Sequence, residues 1–187
     1  MKQLWAPWRL AFVEKETHGP GCIFCDQPAL HQDRRAYILW RGRHAYVMMN
    51  IYPYNNGHLL IAPYRHIGTL EDLPQPVVLD MLRLTQRAIR AIRRAYAPEG
   101  FNLGVNQGRV AGAGIEHHVH LHIVPRWGAD TNFMTLLGET RVLPQDLKAS
   151  YARLKASFKS NPARRSSDPD DGHRRRTRAS RAGRRAS

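Results

Sequence analysis

The sequence predicts an α+β fold: a mainly antiparallel sheet with one long helix and a second helix toward the C-terminus. Three observations carry this. Strand-like stretches come first, one long amphipathic stretch follows, and strands return after it. That order leaves too few helices for alternating β-α-β units. A chain of 187 residues with 42% hydrophobic content suits one domain with a real core.

Leu4 to Val13 carries Trp5, Trp8 and Phe12 around Pro7 and reads as an arm over the body or over a partner subunit. Gly19-Pro20-Gly21 breaks the chain before the cysteines. Residues 36–40 and 45–49 read as two strands joined at Arg41-Gly42-Arg43. Pro53 to Gly57 is a turn, and residues 58–62 read as a buried strand. Residues 74–96 form the clearest helix, with Val78, Leu82, Ile89 and Ile92 close to one face. Pro98 and Gly100 stop it. A strand over 101–106, a glycine-bearing loop over 107–114 and a strand over 118–125 follow. Residues 144–158 read as the last helix, with Leu147, Tyr151 and Leu154 on one side. Beyond Lys159 the chain is rich in Arg, Ser, Ala and Asp and has no large apolar residue. Such a segment buries too little surface to offset chain entropy, so 160–187 reads as a disordered Arg-rich tail on a 1–159 domain.

The net charge is +14. The stretch from Asn161 holds nine arginines and three aspartates, a net of +6, which leaves +8 on the body. A basic body suits a polyanionic ligand without separating nucleic acid from a small nucleotide. The tail can bind nucleic acid or an anionic surface, but it lacks interleaved aromatics for base stacking and reads as a solvated extension. No apolar run is long enough to cross a bilayer and no signal peptide is visible, so the expected compartment is the cytoplasm. In that reducing setting Cys22 and Cys25 point to a metal or redox pair rather than a structural disulfide, the bland alternative being two buried thiols.

The sharpest signal is Glu116-His117-His118-Val119-His120-Leu121-His122-Ile123-Val124-Pro125, which holds four of the ten histidines. On a strand, alternate side chains share a face, so His118, His120 and His122 point one way and Val119, Leu121 and Ile123 point into the core. Such a row fits a nucleophile, a metal site or a polar strand face at a subunit surface. As a nucleophile, a neutral imidazole can attack phosphorus and give a labile phosphoramidate. The middle histidine, His120, is best placed for that, with a neighbour fixing its tautomer.

His118 to Val124 resembles the His-φ-His-φ-His-φ-φ signature of the histidine triad superfamily, φ being apolar. The resemblance extends over roughly Cys22 to Trp127, through Asn50, through Gly57-His58-Leu59-Leu60-Ile61-Ala62-Pro63 and through Asn102 to Gly108. It implies a histidine-triad-like fold, a homodimer and an enzyme that hydrolyses or transfers nucleotidyl groups through a nucleotidyl-histidine at His120. It further implies that His122 and His58 contact phosphate oxygens and orient His120, that Gln107 contacts phosphate, and that Asn50 holds the ribose. Read from residues alone, Asn50 and Gln107 are equally polar residues at a strand end and a turn, and His58 a satisfied buried histidine. Cys22 and Cys25, completed by His66 and His118, resemble the structural zinc site of several members. Ile115 stands where many members carry Ser or Thr, so the leaving-group contact must differ; Glu116 and His117 are substitutes. Arg65 and Arg126 are candidates for stabilising charge. Leu4 to Pro7 and Pro125 to Phe133 resemble the bacterial branch that includes diadenosine tetraphosphate phosphorylases, which points to dinucleoside polyphosphates as substrates. The rivals are a nucleoside phosphoramidate hydrolase and a non-catalytic nucleotide- or RNA-binding protein.

Overall fold

The computed structural model describes residues 21–128, 130 and 145–160. The N-terminal arm, residues 131–144 and the tail lie outside them. The element order is α1 (Ile23–Ala29), β1 (Ile38–Arg41), β2 (Ala45–Met49), β3 (Leu59–Pro63), α2 (Gln75–Tyr96), β4 (Gly100–Val105), one 3-10 turn (Arg109–Ala111), β5 (Leu121–Arg126) and α3 (Leu147–Lys159). The five strands pair antiparallel in the order β1-β2-β3-β5-β4. The α+β expectation holds. None of these helices is long and apolar enough to cross a membrane.

Two apolar clusters cover the two faces of the sheet. The larger joins Val47, Leu59, Ile61 and Ile123 to α2 and α3. The smaller joins Tyr46, Met48, Leu60 and Ala62 to Phe24 of α1. Helix α1 was not expected, because its seven residues contain Pro28 and are too short to show helical periodicity.

On α2 the buried stripe is Val77, Met81, Leu84, Thr85, Ala88, Ala91, Ile92 and Ala95. This face lies roughly a quarter turn from the one that the large aliphatics suggest. Ile92 is buried, Val78 and Ile89 pack at its flank, and Leu82 is 52% exposed. Close packing explains the rotation: three alanines let the helix backbone approach the sheet. Asp80 ties the helix to the β1–β2 hairpin, its carboxylate accepting from the N–H groups of His44 (2.7 Å) and Ala45 (3.1 Å). At the other end of the layer, Arg94 and Arg87 donate to the carbonyls of Ser157 and Phe158, at the negative end of the α3 dipole. From α3, Tyr151 and Lys155 donate to the carbonyls of Ile38 and Leu39 and so cover the β1 edge.

The ladder of β5 begins at Leu121, later than the expected 118. Residues 118–120 run beside the loop after β3 instead, where the Val119 N–H donates to the Ile67 carbonyl at 2.7 Å.

Candidate active site and metal cluster

Gly57 prepares the position of His58. Its φ is +80°, and a Cβ there would lie 3.1 Å from the Tyr96 ring, so a side chain would be both strained and crowded. His58 follows, 1% exposed. Its Nδ1 lies 3.1 Å from the Tyr54 backbone nitrogen, which can only donate, so Nδ1 accepts. The Asn50 amide adds a second donor at 3.3 Å. The ring proton of neutral His58 is therefore on Nε2, which donates to Nδ1 of His122 at 3.0 Å. That bond in turn leaves the proton of His122 on Nε2. A row of contacts thus assigns two tautomers from one backbone N–H.

His120 is set differently. Its Nδ1 lies 2.9 Å from the His118 carbonyl, which can only accept. Nδ1 carries the proton, and Nε2 keeps its lone pair. Burial pushes the basicity of His120 down, opposed by that same hydrogen bond. Burial thus favours the neutral ring, with its lone pair on Nε2. The His120 and His122 rings lie 4.9 Å apart, and those of His122 and His58 5.2 Å apart, so the three form one cluster.

His118, beside His120 against the same Phe24 ring, enters a different set of contacts. Its Nε2 donates to the Pro63 carbonyl at 2.9 Å, leaving Nδ1 for other partners. Nδ1 lies 3.3 Å from the Cys22 sulfur and 3.5 Å from the Cys25 sulfur. His66 Nδ1 lies 3.4 Å from Cys25 Sγ. All four ligand atoms fall within 4.8 Å of one another. A tetrahedral ion with two sulfurs and two nitrogens requires edges of about 3.5 Å, close to the three sulfur–nitrogen distances here, so the set is one that could hold a metal ion. Burial lowers the His118 pKa to about 4, which keeps the ring in its ligating form. Burial and the neighbouring Cys22 push the Cys25 thiol up to about 11.

The other expected residues separate. Asn50 stays beside His58, accepts from the Tyr52 N–H at 2.9 Å and lines a cavity of about 360 Å³ with Ile51, Gln145 and Asp146. Gln107 is not brought to the histidines: its amide accepts from the Leu70 N–H (2.8 Å) and donates to Glu71 (2.9 Å). Its neighbour Asn106 takes the histidine side instead, lining a groove of about 280 Å³ with His122, Tyr54, Asn102, Gly104 and Arg126. Register explains this. Gly104 pairs with His122 and Asn102 with Val124, so 102, 104 and 106 share the histidine face and 107 turns from it. Continuing strand alternation by one residue would have found Asn106. Arg126 reaches the same groove with its guanidinium held by Asp130 and Asn102. Arg65 is exposed. Ile115 packs against the smaller core, Glu116 is half-buried and His117 is exposed.

A two-faced sheet carrying a buried, tautomer-fixed imidazole clustered with two further histidines beside a polar groove defines the class of protein that comparison narrows. Residues 33–128 match the HIT domain family model. An AP-4-A phosphorylase of Mycobacterium tuberculosis strain H37Rv is 36% identical over 170 residues, 87% of each chain. A crystal structure of a Zn-bound histidine triad family protein from Mycobacterium smegmatis superposes with a TM-score of 0.60 at 28% identity, covering 74% of this chain and 94% of that one. A histidine triad nucleotide-binding protein from Sulfolobus tokodaii shares the fold at a TM-score of 0.60 and 20% identity, covering 74% of this chain and 92% of that one. The chain belongs to the HIT domain family. Its similarity to the phosphorylase runs over most of both chains, which sets it in that branch.

Proposed function

We propose that this protein is a nucleotidyl hydrolase or transferase that cleaves dinucleoside polyphosphates, with diadenosine tetraphosphate as the substrate to test first. The observation that carries the reading is the tautomer of His120: proton on Nδ1, held by a carbonyl, and lone pair on Nε2. In this reading Nε2 attacks the α-phosphorus. A P–N bond forms, the P–O bond to the remaining polyphosphate breaks, and a mononucleotide stays on His120. An oxygen of inorganic phosphate or water then attacks phosphorus and the P–N bond breaks. His122 donates from Nε2 to a phosphate oxygen as charge gathers there, and His58 holds His122 in the donating tautomer. Asn106 adds an amide on the same face. Gln107 joins only by exchanging its bonds to Leu70 and Glu71. Asn50 orients His58 and holds the ribose. Arg126, preset by Asp130, stabilises charge along the groove.

The ion assigned to the Cys22, Cys25, His66 and His118 cluster is zinc, in a structural role. Two sulfurs and two nitrogens at tetrahedral spacing suit it, and four protein ligands leave no position for substrate. A reduced cysteine pair serving as ligands fits work in the cytoplasm. Homodimerisation is also part of the reading, supported by the β4 edge, which no other described strand pairs.

Product analysis tests this. Diadenosine tetraphosphate is mixed with the protein, with and without inorganic phosphate, alongside His120→Ala. ADP plus ATP with phosphate, and a dead variant, support a phosphorylase. AMP plus ATP regardless of phosphate supports a hydrolase with the same nucleophile. Turnover by the variant, or no product at all, sinks the reading.

A further inference from the structure

Between the two cysteines of the metal cluster lies Phe24, 1% exposed. Its ring centroid lies 5.2 Å from that of His118 and 4.6 Å from that of His120. Its backbone is fixed. The Tyr46 hydroxyl donates to the Phe24 carbonyl at 2.8 Å, and the N–H groups of Cys25 and Asp26 both donate to the Cys22 carbonyl at 2.8 Å. The backbone that carries the ring is therefore tied to the segment that carries both cysteine sulfurs, and burial confines the ring itself.

His118 makes a second link. Its side chain belongs to the metal cluster, and its carbonyl accepts from Nδ1 of His120. The cluster thus holds His120 in two ways: a carbonyl fixes one edge of the imidazole, and a flat ring fixes its plane. An imidazole on a single hydrogen bond can still rotate about Cβ–Cγ. A ring packed against it removes that freedom.

We propose that Phe24 is a positioning residue through which the metal cluster sets the orientation of His120. The ion bound at Cys22, Cys25, His66 and His118 acts on the chemistry without touching substrate, because it anchors both contacts of the His120 ring. This rests on the reading of His120 as the nucleophile. Attack needs the reacting atoms aligned at about 3–3.5 Å, and a misplacement of about 1 Å costs on the order of a hundredfold in rate. A loosened ring should therefore slow bond formation and leave substrate affinity alone.

Phe24→Leu keeps most of the apolar volume and removes the flat ring. It is compared with wild type and with wild type depleted of metal by a chelator. Metal content, KM and the rate of adduct formation on diadenosine tetraphosphate in a single turnover are measured. Imidazole nitrogens are followed by NMR on protein carrying ¹⁵N-histidine. The expected Phe24→Leu protein keeps its metal and KM, forms adduct about tenfold more slowly, and shows broadened His120 imidazole signals with the proton still on Nδ1, because the His118 carbonyl is unchanged. Metal-depleted wild type, in which that carbonyl loosens as well, shows His120 as a mixture of tautomers. If Phe24→Leu fails to fold or to load metal, the depleted wild type carries the test alone. Wild-type adduct rates with sharp His120 signals in Phe24→Leu, or a single Nδ1–H tautomer in the depleted protein, overturn the inference. His120→Ala is the control that separates the two readings, since an adduct formed by that variant removes the nucleophile itself.

Discussion

Protonation of His118 works against the folded state, and the sign fixes where acid should act. Burial depresses its pKa from 6.5 to about 4. A group depressed in the fold contributes stability above its unfolded pKa and loses it as pH falls toward the folded one. His120 is depressed in the same direction by the same cause. The urea midpoint of the metal-free protein is therefore expected to fall between pH 6.5 and about 4. A flat midpoint across that window would mean that neither ring is buried as described. The His58–His122 bond gives a second residue-scale expectation. His58→Ala removes the Nε2–H that donates to His122 Nδ1. The loss of such an orienting partner costs on the order of 10- to 100-fold. That fall should appear in kcat of diadenosine tetraphosphate cleavage, measured well below the urea midpoint, since the cavity and the Tyr54 N–H left without His58 lower that midpoint too; unchanged kcat would make His58 merely a core histidine.

At the scale of elements, regular periods were legible and irregular joints were not. Alternation placed His118, His120 and His122 on one face and Val119 and Ile123 in the core, as found. The resemblance pointed to Gln107, whereas the register of β4 with β5 puts Asn106 on the histidine face; that register is a tertiary fact. Cys-x-x-Cys was visible as a motif, but α1 that carries it was not. The buried face of α2 was misjudged for a related reason. Large aliphatics mark a face by hydrophobicity, whereas alanines mark it by how closely two backbones approach. Ala88, fully buried, sits in that close approach. Ala88→Leu is expected to overpack the α2–sheet contact and to destabilise the fold by about 1–3 kcal/mol. Chemical denaturation would read this directly, and an unchanged midpoint would show that the helix stands farther from the sheet than its alanines imply.

Among the described residues, one sheet edge is covered and one is open. Tyr151 and Lys155 occupy carbonyls of β1, and a register shift between Ile38 and Trp40 further roughens that edge. At the opposite edge, β4 pairs with β5 alone among the described strands, and Asn102, Leu103 and Gly104 are exposed. An exposed regular edge is a template for another strand, and natural sheets blunt such edges unless they use them. Neither Pro nor Lys blunts β4; its sequence is Gly-Phe-Asn-Leu-Gly-Val. Leu103, 50% exposed, adds apolar surface there, and Leu79 and Leu82 add more on α2. A second copy joined edge to edge through β4 satisfies the unpaired backbone groups of both chains at once, by a two-fold axis that makes the contact self-complementary. Leu103→Arg would set like charges across such an axis in a chain already at +14. Sedimentation at micromolar concentration should find wild type as a dimer and Leu103→Arg shifted toward monomer. Deleting 161–187 should leave the dimer intact, since the tail's charge opposes association rather than driving it. A wild-type monomer, or a dimer indifferent to Leu103→Arg, would remove β4 as the joining edge.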